Sequence, residues 1–306
     1  MKHRRRPIWL YSFFQYPLIF LSTFLLLSAL LWLLGLGRPN VAVAVALDLS
    51  SSTYGEPEQF NTPGTIMSQE IEAVKAYIDE SDKLRKPNQV QIFGFRSKTV
   101  VPLTPTFAAD GNTLKAELDR GMVEKALPLS QREEPRLDNL NDPILKGIQA
   151  LSNINQSCRE LLLVSDSGVE LEPGILLNQA VQNRVKINAI VFQNTVPELE
   201  LLVARTKGLY ITGQPSDFNK LFSDRFFSRF NSNLKWIIIC LGLAWISLMW
   251  LIALPLDRWI LQDLLQMHWS LSGRIVTGHA LFWSALTPLI VWQLLKISGF
   301  HSFLNC

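Results

Sequence analysis

Apolar residues pool at the two ends of the 306-residue chain, and the middle alternates in short blocks. Three long runs stand out. Residues 17–36, PLIFLSTFLLLSALLWLLGL, carry no charge and have about the 20 residues that a hydrocarbon core needs. Residues 236–254, WIIICLGLAWISLMWLIAL, are charge-free between Lys235 and Asp257. Residues 276–297 carry His279, Pro288 and Gln293, which suits a span packed against another helix. His279 reads as a residue near the membrane interface, or as a titratable group within the membrane. Each run predicts a transmembrane helix. Between them, WILQDLLQMHW places Trp259, Ile260, Leu264, Leu265 and Met267 near one helical face, as in a helix lying in the interface.

The middle reads differently. VAVAVALD, residues 41–48, is a near-continuous apolar run, expected of a strand buried on both faces of a parallel sheet. MSQEIEAVKAYIDES follows with Ile71, Val74 and Ile78 at helical spacing and Ser68 as N-cap. NQVQIFGF is a strand, and TVVPLT, with Pro102, an edge strand. GNTLKAELDRG is a helix stopped by its Gly, and DPILKGIQALS a helix with Pro143 in its first turn. ELLLVSD is a buried strand ending in Asp166. PGILLNQAVQN, VKINAIVF, PELELLVARTKG and GLYIT continue the helix–strand alternation. DFNKLFSDRFFSRFNSNLK is an amphipathic helix with Phe218, Leu221, Phe222, Phe226 and Phe230 on one face. The pattern predicts an α/β fold: a doubly wound, mostly parallel sheet flanked by helices, Rossmann-like, joined to transmembrane α-helices.

Charge supplies orientation. Lys2, Arg4, Arg5 and Arg6 precede the first run, and basic flanks stay in the cytoplasm. A cleaved signal peptide also begins with basic residues, but the only small-residue pattern after the run is VAVAVA, which is strand material. An uncleaved anchor is therefore expected. The predicted organisation is a basic cytoplasmic N-terminus (1–16), a span (17–36), an extracytoplasmic domain (38–231), a span (236–254), a short cytoplasmic or interfacial connection holding Arg258 and Arg274 (255–275), a third span (276–297) and a tail (298–306). This organisation predicts a multi-pass protein of the plasma (inner) membrane, with the N-terminus cytoplasmic. The net charge of +3, with no basic stripe interleaved with aromatics, argues against nucleic acid as partner. Three scattered cysteines are too few for a disulfide framework or a zinc site.

The chemistry sits at the strand ends. In a doubly wound sheet, ligands bind beyond the carboxyl ends of the strands, where strand order reverses. Asp48 and Asp166 each close a strand there, and a turn after Asp48 presents Ser50 and Ser52 on the same side while Leu49 points away. Carboxylates and hydroxyls are hard oxygen donors, suited to Mg²⁺, Mn²⁺ or Ca²⁺. The alternative for Asp48 and the serines is a plain helix cap.

LDLSSST fits the Asp-x-Ser-x-Ser signature of von Willebrand factor A (VWA) domains. ELLLVSDSG resembles that family's later metal-site strand, NQVQIFGFRSKTVVPLTP its second strand and edge hairpin, and LLVARTKGLYI its last helix and strand. The resemblance covers about residues 40–230. It implies a metal-ion-dependent adhesion site held by Asp48, Ser50, Ser52 and Asp166, directly or through water. It also implies a protein partner that offers a carboxylate to the metal. One position departs: where the family usually has Thr, PRLDNLNDPIL places Asp138 or Asn139. Asp138 would add an oxygen ligand and a negative charge, which favours the cation and opposes an incoming carboxylate. The polar loop YGEPEQFNTPGT beside the crevice is a surface loop or a partner-selecting lip, with Glu56 and Glu58 a weaker second ion site.

The expectation is a membrane-anchored binding module without a small-molecule substrate. The anchor–domain–anchor plan resembles that of bacterial VWA proteins encoded with stress-tolerance or complex-assembly systems. Two alternatives remain: a structural subunit with a vestigial metal site, and a metal-dependent hydrolase. Against the hydrolase, His3, His268, His279 and His301 all lie outside the middle region, which also lacks a P-loop.

Overall fold

A computed structural model describes residues 8–131, 138–156, 158–165, 169–192, 195–214 and 221–298. The chain divides into two units, one made of Pro39–Asn231 and one of the segments before and after it.

The first unit is built on β1 (Val41–Asp48), whose eight residues are all buried. Val41, Val43, Val45 and Leu47 pack into one hydrophobic cluster, and Ala42, Ala44 and Ala46 into another. Alternation of this kind puts the two residue sets on opposite faces of the sheet. The valine face meets Ile71, Val74 and Ile78 of α2 (Ile66–Asp82) and Leu114 and Leu118 of α3 (Gly111–Gly121). The alanine face meets α5 (Asn141–Ser152), α6 (Pro173–Gln182) and α7 (Pro197–Arg205). A short α4 (Leu127–Ser130) follows α3 through a π turn, Met122–Ala126.

The other main strands are β2 (Gln89–Arg96), β3 (Thr99–Pro102), β5 (Cys158–Ser165), β7 (Val185–Phe192) and β8 (Tyr210–Gly213). They form one six-stranded sheet in the order β3-β2-β1-β5-β7-β8. Only the β2–β3 edge pairing is antiparallel. The order runs outward from β1 to β3, then jumps back to place β5 on the other side of β1. Strand order therefore reverses between β1 and β5, which pair directly (Leu47 opposite Val164). A separate pair of two-residue strands, β4 (Asp138–Asn139) and β6 (Val169–Glu170), lies in the connections around β5.

Several details differ from expectation. The N-cap of α2 is Thr65, whose hydroxyl accepts from the Ser68 N–H, so Ser68 lies in the first turn. Gly121 does not stop its helix: the chain runs on, and a Cβ there would sit 2.2 Å from the Leu103 carbonyl oxygen. That glycine serves close approach. The phenylalanine helix is described from Leu221, as a π segment to Phe227 continued by Ser228–Phe230. Phe222, Phe226 and Phe230 are buried in the valine-side cluster, whereas Phe218 lies outside the described residues. Cys158, to which no chemistry was assigned, is disulfide-bonded; Cys240 is a buried free thiol.

The second unit contains three helices long and apolar enough to cross a membrane: α1 (Ser12–Leu34), α8 (Leu234–Pro255, continued by a π segment Leu256–Leu264) and α9 (Trp269–Ile297). α1 and α8 run antiparallel and are fastened at both ends. Asn233 Nδ2 donates to the Leu31 and Leu36 carbonyls at one end, and the Arg258 guanidinium lies 4.4 Å over the Tyr11 ring at the other. α8 and α9 are joined by Trp250 Nε1, which donates to Ser284 Oγ at 2.9 Å. Trp283 Nε1 donates to His279 Nε2 within α9. Residues 256–264 extend α8 rather than forming a separate helix, and they leave Trp259, Ile260 and Leu264 exposed. Met267 departs from that face and packs against buried Ala253, Leu261 and Val276.

Candidate metal centre

β1 delivers Asp48 to the carboxyl end of the sheet at the point where strand order reverses. The carboxylate is fully buried. Its Oδ1 accepts the Ser50 N–H at 2.9 Å, and its Oδ2 accepts the Ser165 hydroxyl at 3.2 Å. The backbone then turns tightly through Ser51–Thr53, with Thr53 Oγ1 donating to the Ser50 carbonyl at 2.8 Å. This turn brings the Ser50 and Ser52 hydroxyls within 2.7 Å of each other. Leu49 points the other way, into the valine-side core, with its N–H bonded to the Phe95 carbonyl. Gly94 makes room for it, because a Cβ at that position would lie 2.4 Å from Leu49 Cδ1. Asp48, Ser50 and Ser52 therefore sit together, in the every-second-residue pattern of the sequence.

The remaining expected ligands are placed less fully. Asp166 lies outside the described residues, one position beyond Ser165 at the end of β5. Only the backbone of Asp138 is described, paired with Val169 in the small β4–β6 ladder. Asn139 Oδ1 accepts the Asn141 N–H at 2.8 Å and so helps cap α5. Of the two residues at the position where VWA domains usually carry Thr, Asn139 thus has a capping function, which leaves Asp138 as the candidate donor. Glu56 and Glu58 are both exposed. Among the described residues, no three His, Cys, Asp or Glu side chains form a cluster.

Two residues at the site were not singled out from the sequence. Ser165 ties β5 to β1 across 117 positions of chain, a contact without any local signature. A hydroxyl at the end of an otherwise apolar strand, next to an acid, was the available hint. Thr53 was visible as the last letter of LDLSSST, and its role in closing the turn follows from its short polar side chain.

The loop beside the crevice is anchored. Tyr54 is buried, stacks edge-on against Phe60 at 5.2 Å and donates to the Ser130 carbonyl at 3.4 Å. Burial pushes its phenol pKa up, and the positive charge of Arg96 pulls it partly back. Arg96, at the end of β2, is itself held by the Leu129 carbonyl at 2.8 Å.

The donor set fits a hard divalent cation: one carboxylate and two adjacent hydroxyls, all oxygen, on a tight turn. No family model matches the chain, and no curated protein matches it. Among solved structures, the chain is similar to the SpRpn10 VWA domain, at 12% identity over 62% of this chain and 96% of that one, with a TM-score of 0.47. It is also similar to a von Willebrand factor type A structure from Catenulispora acidiphila (15% identity, 62% and 42% coverage, TM-score 0.46). A third is proximal thread matrix protein 1 from the mussel byssus with a zinc-occupied MIDAS motif (12% identity, 62% and 46% coverage, TM-score 0.46). The match spans less than half of the Catenulispora and mussel chains. At these identities nothing beyond the fold is carried across. The observed sheet, with its antiparallel edge hairpin after β2 and its closing α7–β8 unit, has the layout that the sequence resemblance implied. The fold is VWA-like in this sense.

Proposed function

We propose that the chain is a membrane-anchored VWA-type binding module that recruits another protein through a divalent cation at the end of β1. The observation that carries this reading is the gathering of the Asp48 carboxylate and the Ser50 and Ser52 hydroxyls at the point where strand order reverses. Asp48, Ser50 and Ser52 would hold the ion, with Asp166 and Asp138 completing the set. Mg²⁺ is the expected ion, with Mn²⁺ or Ca²⁺ chemically equivalent choices. A bound ion supplies an open coordination position for a partner's carboxylate. The chain's own part is to fix the donors: Ser165 and the Ser50 N–H orient the carboxylate, and Thr53 holds the turn. The three apolar helices support membrane anchoring. The basic N-terminus supports placing it in the cytoplasm and the α/β unit on the opposite side of the plasma (inner) membrane. Binding rather than turnover is proposed, with assembly or stress-related envelope complexes as the setting.

The test is a crosslinked affinity pull-down of the full chain from membranes, comparing wild type with Asp48→Ala, each with and without EDTA. Proteins lost from both the mutant and the chelated sample are the expected partners. Identical partners in all four samples would overturn the adhesion-site reading and leave a structural subunit with a vestigial site. Turnover of a phosphoester that vanishes with Asp48→Ala would instead establish a metal-dependent hydrolase.

A further inference from the structure

The helix pair α8–α9 carries a feature that neither anchoring nor metal binding uses. Where α8 ends in its π segment and α9 begins, an open, groove-like cavity of about 680 Å³ lies between them. Its lining includes Asp257, Gln262, Trp269, Gly273, Arg274 and Gly278. The wall carries both signs of charge. Gln262 Nε2 donates to Asp257 Oδ2 at 2.9 Å and so fixes that carboxylate. Asp257 Oδ1 is buried and has no hydrogen-bond partner among the described residues. A buried acceptor left unsatisfied is uncommon and calls for a donor. Arg274 is exposed and makes no hydrogen bond or ion pair among the described residues. Gly273 and Gly278 face open space, since a Cβ on either would meet nothing within 4 Å. Trp259 and Trp269 are 62% and 72% exposed on either side of the turn, where indoles mark the headgroup level of a bilayer.

We propose that this cavity holds a zwitterionic phospholipid headgroup of the phosphoethanolamine type, its phosphate taken by Arg274 and its ammonium by Asp257. A guanidinium is a strong partner for a phosphate. A primary ammonium can donate hydrogen bonds to the Asp257 carboxylate, and a quaternary one cannot. One cation and one anion on the wall match a ligand of net charge zero. The positions at the ends of α8 and α9 put the cavity at headgroup depth on the cytoplasmic side. The inference rests on reading these helices as spans, which the accessibility experiment in the Discussion checks separately.

Native mass spectrometry of the full chain, released from detergent with short-chain phosphatidylethanolamine, phosphatidylglycerol or inorganic phosphate, reads occupancy directly. The ethanolamine lipid is expected to bind about tenfold more tightly than the glycerol lipid, the ratio that one charge-assisted hydrogen bond gives. Asp257→Asn is expected to erase that preference, and Arg274→Gln to weaken both lipids. Gly278→Leu fills open space without changing charge and is expected to lower occupancy by either lipid. Equal binding of the two lipids to the wild type would overturn the proposal. So would ethanolamine-lipid binding that survives Gly278→Leu or both charge variants. Retention of inorganic phosphate without lipid would make the ligand a soluble anion and overturn the lipid assignment.

Discussion

Asp48 combines two properties that rarely coexist in one side chain. It is an acid, and it is wholly withdrawn from solvent. Burying a carboxylate costs several kcal/mol unless hydrogen bonds or a cation offset it. The Ser50 N–H and the Ser165 hydroxyl supply part of that offset, and a divalent ion would supply more. Charge and hydrogen bonding can be separated by substitution. Asp48→Asn keeps an oxygen for the Ser50 N–H and removes the charge. Asp48→Ala also leaves the Ser50 N–H and the Ser165 hydroxyl unpaired, at a cost of about 1–3 kcal/mol for a buried polar group. In thermal unfolding of the full chain in detergent with EDTA, Asp48→Asn is expected to match the wild type closely, while Asp48→Ala melts lower. With Mg²⁺ or Mn²⁺ added, only the wild type is expected to gain stability, because ligand binding to the native state raises it by mass action. A metal-induced rise of equal size in Asp48→Asn would move the ion away from this carboxylate.

The elements were legible to different depths, for physical reasons. β1 and β5 announced themselves because a strand buried on both faces carries a near-continuous apolar run, Val41–Leu47 in β1 and Leu161–Val164 in β5. The every-second-residue pattern of Asp48, Ser50 and Ser52 was legible because it is local, whereas the tie from Ser165 and the displacement of the α2 cap to Thr65 depend on contacts and backbone angles with no marker in composition. The π segments at Leu221–Phe227 and Leu256–Leu264 were read as ordinary helix, since two turns are too short to distinguish their period. Equally hidden was a buried polar network near the amino ends of β5 and β7. There Glu160 is buried, Asn188 Nδ2 donates to its Oε2 at 2.9 Å, and Lys186 Nζ lies 3.6 Å from its Oε1. Arg229 adds positive charge, and Tyr77 lies close enough to feel the carboxylate. Desolvation outweighs the lowering effects of Lys186, Asn188 and Arg229, so the Glu160 pKa is raised. A carboxyl whose pKa is higher folded than unfolded contributes stability below its ordinary range, and that stability is lost as pH rises through the folded value. Thermal unfolding between pH 4 and pH 8 should therefore show a downward component with rising pH that Glu160→Gln removes. An unchanged pH profile in that variant would mean that the basic neighbours, not burial, control this group.

At the scale of the whole molecule, the location of Asp48 within the α/β unit bears on what the protein can reach. Chain enters β1 at Val41, and Asp48 lies at the far end, about 23 Å away at the usual strand rise. Asn231, the last residue of the unit, donates to the Phe227 carbonyl, and the Phe227 ring packs edge-on against Tyr77 of α2 at 5.6 Å. Tyr77 also pairs with Asn88, just before the start of β2. Both connections to the apolar helices thus leave from the amino-end side of the sheet, and the candidate metal site lies at the carboxyl end. The flanking charges set the expectation for which compartment that edge faces. On the proposed orientation, with the N-terminal basic cluster in the cytoplasm, α1 would carry the chain out, α8 would return it, and the α8–α9 turn with Arg258 and Arg274 would be cytoplasmic. Single cysteines report this directly. In intact cells a membrane-impermeant maleimide is expected to label Asn61→Cys, on the exposed loop beside the metal centre, above the level set by the native thiols. It should label Gln266→Cys, in the α8–α9 turn, only after the membrane is permeabilised. Reversed labelling would put the metal centre in the cytoplasm and make its partner a cytoplasmic protein. Labelling of both positions in intact cells would mean that α8 does not cross the membrane, which would also remove the bilayer from around the α8–α9 cavity.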